Sequence, residues 1–205
     1  MKLTDLSVSG LIAAFASTSP TPGGGSASAL AGAAGAALLA MVAAMPKSRA
    51  ATADDASLLQ AAGTGCGALS DALLDLVNRD SEAYDAVVAA YRLPKASDDE
   101  KAARKSGIQA AMKRAAETPL ETMRHASEAL GKASLIGRLG NANAASDVVV
   151  AVELLVAAAR GARANVEINL ESLDEAAYVA QLREEVSEID QRCSLVASGF
   201  SRKSA

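Results

Sequence analysis

The chain has 205 residues and a formal net charge of −4. Alanine takes 49 positions, whereas the aromatics are only Phe15, Tyr84, Tyr91, Tyr178 and Phe200. One-quarter alanine, with five prolines and few β-branched residues outside Val148 to Val156, predicts an all-α fold of closely approaching helices and argues against a sandwich, a barrel or a parallel sheet.

A chain of this length buries about 70% of its unfolded surface when it folds as one unit, so residues 1–205 are read as a single helical domain. Acidic and basic side chains mix along the chain from residue 47 onward. That leaves no basic stripe for a phosphate backbone, and the aromatics are too scattered to stack bases, so nucleic acid is not an expected partner. Cys66 and Cys193 stand far apart, which fits a reduced, cytoplasmic protein better than a disulfide framework.

In chain order, a short helix is expected over residues 9–16. The next ten residues, Ser17 to Ser26, hold two prolines and three glycines and form a tight loop that feeds a second helix. From Leu6 through Pro46 no residue is charged, a run of 41, and Ala27 to Met45 meets the length of a bilayer span. Ten of those nineteen residues are alanine and two are glycine, so few side chains favour insertion, and no membrane is expected as a partner. The apolar stretch also begins too late for a signal peptide, and Asp5 follows the one early cation, Lys2. The segment is therefore read as a central helix, apolar all round because protein surrounds it. Ala29, Gly32, Ala33, Ala36, Ala37 and Ala40 are small enough for neighbouring backbones to approach.

Pro46 ends that helix, and a long one follows from about Ala53 to Tyr91, with Gly63, Gly65 and Gly67 as points of loosening and Leu93-Pro94 as the stop. Three capping boxes, Ser97-Asp-Asp-Glu100, Thr118-Pro-Leu-Glu121 and Ser172-Leu-Asp-Glu175, each predict a helix start. A second buried helix runs from about Ala144 to Leu170. The expectation is a bundle of six or seven helices around a buried Ala/Gly-rich one, with disorder confined to Ser201 through Ala205.

Polar residues that intrude on apolar faces are the candidates for chemistry. Leu73, Leu76, Val77, Tyr84, Val87 and Val88 recur at helical spacing, and Asp80 falls on the same stripe. A carboxylate among apolar neighbours has a raised pKa; it is either a general acid and base or a buried side chain held by an arginine or a helix end. Asn165 and Asn169 project one turn apart from a strip of small residues, to meet either a heterocycle or a neighbouring helix. Gly23, Gly24, Gly25 and Ser26 open a helix, where backbone N–H groups either receive an anionic or carbonyl oxygen or only make the turn. No Gly-Lys-Ser/Thr follows, so it is no P-loop. Asn141, Asn143, Ser146 and Asp147 form a polar cluster at another helix start, where Ser and Asp are also ordinary caps. The single histidine, His125, lies off its helix's apolar stripe and is expected to be exposed; Cys66 is read as a small core residue. No metal site, zinc hydrolase or histidine triad is expected.

Five blocks carry a family resemblance: Ser19-Pro-Thr-Pro-Gly-Gly-Gly-Ser-Ala-Ser-Ala-Leu30, Leu76-Val-Asn-Arg-Asp-Ser-Glu-Ala-Tyr84, Leu93-Pro-Lys95 with Glu100-Lys101 and Arg104, Gly140-Asn141 with Ser146-Asp147, and Asn165-Val-Glu-Ile-Asn-Leu170. Spread in order over almost the whole chain, they resemble the cyclodeaminase/cyclohydrolase family of folate enzymes. That family comprises the C-terminal domain of formiminotransferase-cyclodeaminase and stand-alone bacterial relatives, including methenyltetrahydrofolate cyclohydrolases. The resemblance implies an all-helical homodimer that acts on a tetrahydrofolate derivative as substrate, without metal or organic cofactor. It puts the catalytic aspartate at Asp80 and makes Gly23, Gly24, Gly25, Ser26, Asn141, Ser146, Asp147, Asn165 and Asn169 parts of the folate pocket. Many family members have Thr-x-Gly-Lys-Lys or a similar basic stretch after the buried helix, where this chain has Met45-Pro-Lys-Ser-Arg49. Lys47, Arg49, Lys95 and Arg104 are the cations available for the substrate's glutamate carboxylates, or are solvated surface charges.

The implied reaction is hydrolysis of 5,10-methenyltetrahydrofolate to 10-formyltetrahydrofolate, with formiminotetrahydrofolate cyclodeamination as the alternative. A reading of another class is a non-catalytic helical module that binds folate or a protein partner.

Overall fold

A computed structural model describes residues 2–201, and among them there is no β-strand. Six α-helices account for the architecture: α1 (Val8–Phe15), α2 (Gly24–Ala44), α3 (Ala53–Tyr91), α4 (Asp98–Leu139), α5 (Ala145–Leu170) and α6 (Ala176–Ser201). Short 3-10 turns over Leu3–Asp5 and Ala142–Ala144 complete it. Hydroxyls cap the starts of α1, α3 and α4. Ser7 accepts from the Gly10 N–H and Thr52 from the Asp55 N–H, while Ser97 and Glu100 form the expected capping box.

At a rise of 1.5 Å per residue, α3 and α4 are about 58 and 63 Å long and form the two walls of the bundle. Against them pack α2 and α5. Both are long and apolar enough to cross a membrane by length and composition, but here they lie against each other in the core. Gly35 shows why small residues are needed: a Cβ there would stand 2.8 Å from Leu155 Cγ and 2.9 Å from the Ala151 carbonyl. Leu39, Leu73, Leu76, Leu120, Met123 and Leu155 fill the space between these helices.

The helices depart from the sequence reading in four places. Thr118 opens no helix; α4 runs unbroken through Pro119, and the Thr118 hydroxyl bonds back to the Arg114 carbonyl. The Ser172 box does not form either, because α6 begins at Ala176, and Asp174 and Glu175 pair instead with Lys105 and Lys113 of α4. Gly63, Gly65 and Gly67 do not loosen α3, and Gly63 lets α2 close in: a Cβ would meet the Ala43 Cβ at 2.6 Å. Finally, α2 is not enclosed on every side. Ala27, Ala34, Ala37, Met41 and Ala44 form an exposed stripe, because α3, α4 and α5 cover only the remainder of its circumference. Ser201 ends α6, and residues 202–205, also expected to be disordered, lie outside the described residues.

Two glycine substitutions separate spatial need from helix propensity. Gly35→Ala is expected to force α2 and α5 apart and to lower unfolding stability by about 1–3 kcal/mol. Gly131→Ala, at an exposed site in α4 with nothing within 4 Å, is expected to raise it by about 0.5–1 kcal/mol. Urea denaturation of the two variants checks both signs.

Candidate active site

The stripe of Leu73, Leu76 and Val77 carries α3 into the core, and the next turn brings Asp80 against the first turn of α2. There the Ser26 backbone N–H donates to Asp80 Oδ2 at 2.8 Å, and the Ser26 hydroxyl lies 3.0 Å from the same oxygen. The hydroxyl is also 2.9 Å from the Val77 carbonyl and 3.3 Å from the Ser81 hydroxyl. It holds one hydrogen, so it serves either Oδ2 or Val77 at a given moment. A first-turn donor of α2 is thus used within the protein, on a carboxylate of its own chain. Among the three loop glycines, only Gly25 is demanded by space. A Cβ there would lie 2.0 Å from Asp80 Oδ1, whereas those at Gly23 and Gly24 would meet nothing closer than 3.5 Å.

Burial pushes the Asp80 carboxyl above the usual carboxylate range, and the two bonds from Ser26 pull it partly back. A cavity of about 330 Å³ opens beside it. The floor comes from Gly23, Gly24 and Gly25, and Tyr84 and Val87 extend α3 along one side. Met112 and Ala115 of α4 and Asn165, Ile168 and Asn169 of α5 close the others. Tyr84 and Asp80 are the titratable groups on this lining. Tyr84 belongs to the stripe expected in the core but is 41% exposed, because it faces this open cavity, while Ala83 and Ala90 of α3 stay buried. The two amides are committed: Asn165 Nδ2 donates to the Gly161 carbonyl at 2.8 Å and Asn169 Nδ2 to the Ala115 carbonyl at 2.7 Å.

The sequence profile of the formiminotransferase-cyclodeaminase family matches residues 7–188. The chain belongs to this family. It is 40% identical over 173 residues to a methenyltetrahydrofolate cyclohydrolase of Methylorubrum extorquens, covering 84% of this chain and 83% of that protein. It is 32% identical to the formimidoyltransferase-cyclodeaminase of Sus scrofa over 89% of this chain, which spans only 34% of that larger protein. Among solved structures, formiminotetrahydrofolate cyclodeaminase from Thermotoga maritima superimposes with a TM-score of 0.76 at 26% identity, over 96% of this chain and 98% of that one.

In this formiminotransferase-cyclodeaminase family member the residues singled out by sequence fall into two groups. Asp80, Gly23, Gly24, Gly25, Asn165 and Asn169 meet at the cavity, with Ser26 buried directly behind Asp80. Lys47, Arg49, Asn141, Ser146 and Asp147 do not join them within the chain. From Asp147 to Asn165 is about 27 Å along α5. At that far end Arg49 closes the last turn of α4: its backbone N–H donates to Leu139 and its guanidinium to the Gly137 and Gly140 carbonyls. Asn141 donates to the Pro46 carbonyl and accepts from the Asn143 N–H. Lys47 is exposed, at φ 58°, and Ser146 is exposed. A larger cavity of about 810 Å³ at this end is lined by Arg49, Leu135, Arg138, Val148 and Phe200, with no carboxylate among its described lining residues. Lys95 and Arg104 are not among the lining residues of the Asp80 cavity. Arg104 stacks on Tyr91, 5.5 Å from the ring centroid, and donates to its carbonyl.

Met112, Ala115 and Ile168 line the cavity without any signal in the sequence, since α4 and α5 meet there only through the fold. His125 is half-buried rather than exposed. Cys66 is fully buried, and burial pushes its thiol up to about 11, so it is no thiolate nucleophile near neutrality. Among the described residues no three His, Cys, Asp or Glu side chains gather as a metal site.

The raised pKa of Asp80 has a consequence for stability. The fold favours the neutral carboxyl, so ionisation costs stability, and that loss develops as pH rises from the ordinary carboxylate value through the raised one. Asp80→Asn is therefore expected to melt at a higher temperature than the parent at pH 7, with the gap closing at acid pH where Asp80 is protonated in both states. Thermal melts across pH check this, and a lower melting temperature at pH 7 would contradict it.

Proposed function

We propose that the chain is a methenyltetrahydrofolate cyclohydrolase, converting 5,10-methenyltetrahydrofolate to 10-formyltetrahydrofolate with Asp80 as the catalytic residue. One observation carries the reading: a carboxylate raised by burial, pinned through Oδ2 and with Oδ1 at the cavity floor, is the one carboxylate among the described lining residues. Water adds to the electron-poor carbon between N5 and N10 as Oδ1 takes one of its protons. Asp80 then returns that proton to N5, the bond from carbon to N5 breaks, and the adduct hydroxyl loses its proton as the formyl C=O forms on N10. The substrate is already an activated amidinium, so the proposal includes no cofactor. Asn165 and Asn169 hold the ring, and Lys95 and Arg104, off the lining, are the cations proposed for the glutamate carboxylates.

The likeness to a formiminotetrahydrofolate cyclodeaminase over 98% of that chain favours one second reading, formiminotetrahydrofolate cyclodeamination. In it N10 attacks the formimino carbon and ammonia leaves, with Asp80 moving the protons. A non-catalytic binding module fits less well, since it leaves the cost of burying Asp80 without a purpose. The proposed assembly is a homodimer, supported by the exposed stripe Ala27, Ala34, Ala37, Met41 and Ala44, whose apolar surface a second copy would cover. The free buried cysteines fit a cytoplasmic setting.

The purified chain is expected to bleach the near-ultraviolet absorbance of methenyltetrahydrofolate faster than buffer, and Asp80→Asn to slow this by about 10²-fold or more with helix content unchanged. Ammonia release from formiminotetrahydrofolate without such bleaching would select the cyclodeaminase instead. Gly25→Ala, which displaces Oδ1, is expected to abolish turnover in either case.

A further inference from the structure

The proline inside α4 stands directly beside the cavity. In an α-helix the N–H of each residue bonds the carbonyl four residues earlier, so Pro119, which has no N–H, leaves the Ala115 carbonyl without its helical donor. Ala115 is buried, and an unpaired carbonyl there would be costly. The missing donor comes from another helix: Asn169 of α5 reaches across with Nδ2 at 2.7 Å. Because a carbonyl only accepts, this bond fixes which way the amide faces; its nitrogen turns to Ala115 and its oxygen Oδ1 turns away. Asn165 Nδ2 donates to the Gly161 carbonyl of its own helix, and on the Gly24 side of the cavity its nitrogen is the nearer amide atom, 3.5 Å from where a Gly24 Cβ would stand against 3.9 Å for Oδ1. Among the described residues neither lysine nor arginine lines the cavity, whereas Asp80, Asn165 and Asn169 all do.

We propose that Pro119 is a positioning residue for ligand recognition: by withholding a helical donor from Ala115 it locks the Asn169 amide with Oδ1 presented to the cavity, so that this wall selects a ligand edge rich in N–H donors. Resting on the folate reading above, that edge is the one bearing the amino and ring N–H groups of the reduced pterin. The acceptor oxygens of Asp80 extend the same preference along the wall. The proline therefore acts at one remove from the ligand, through a backbone carbonyl and a side-chain amide.

Pro119→Ala restores a backbone N–H to Ala115 and releases Asn169. The variant is expected to melt at a higher temperature than the parent, as proline leaves a helix interior, and yet to show a KM for methenyltetrahydrofolate raised about tenfold, with kcat changed far less. A proline with a merely structural role would move the melting temperature alone. Asn169→Asp probes the same bond from the other side, because it keeps an acceptor but removes the donor to Ala115. It is expected to weaken substrate binding in the parent and to recover in part when combined with Pro119→Ala, which supplies that donor. A readout free of turnover is the solvent exchange of the Asn169 side-chain amide in ¹⁵N spectra, assigned by its loss in Asn169→Leu: slow in the parent and fast in Pro119→Ala. Unchanged KM and unchanged amide exchange in Pro119→Ala would overturn the proposal with the folate reading intact. A parent that neither turns over methenyltetrahydrofolate nor binds tetrahydrofolate would remove the folate reading, while the exchange comparison still decides whether Pro119 orients Asn169.

Discussion

The first turn of α2 rests on one carboxylate. Ser26 gives Asp80 both its backbone N–H and its hydroxyl, and Gly25 yields the space that brings the two helices together. This contact fixes where α2 begins, which side of it meets α3, and which oxygen of Asp80 is left for chemistry. The long uncharged stretch from Leu6 to Pro46 follows the same constraint, since α2 can seat its first turn on α3 only if the rest of its length lies as close to α3 and α5. Alanine and glycine permit that distance, and larger side chains at Gly35 or Gly63 would not.

The Ser26 hydroxyl suits a carboxyl that must change its charge. With Asp80 ionised its hydrogen points to Oδ2; with Asp80 protonated it turns to the Val77 carbonyl, so neither state strands a buried polar hydrogen. Burial holds the carboxyl above the ordinary range at a cost in stability, a trade expected where proton transfer is the task. Across the cavity α4 gives up a helical hydrogen bond at Pro119 and recovers it from Asn169, so an irregularity in one helix becomes an oriented amide in another.

Much of this was legible in the chain. Alanine content and helical spacing predicted the all-α class, and most helix ends were visible because Ser97, Pro46 and the Pro-Gly-rich loop act locally, through caps and absent donors. Thr118 misled for a physical reason. A capping box and an N1 proline signal a helix start only where no helix already runs, and the packing of α4 on α5 and α3 carries the helix through. Periodicity puts Tyr84 on the face of Leu73, Leu76 and Val77 but does not tell that this face opens on a cavity at that turn.

The sequence by itself determined that Asp80 shares a face with Leu73, Leu76 and Val77, and that Asn165 and Asn169 share another, because helical periodicity is a local property. Only the tertiary structure decided that these faces meet at one cavity, while Arg49 and Asn141 close a junction far from it. The angle and distance at which helices cross are set by side chains remote in sequence, such as Gly25 against Asp80 and Asn169 against Ala115. No pattern within a single helix encodes such a meeting, so which polar residues became neighbours had to wait for the fold.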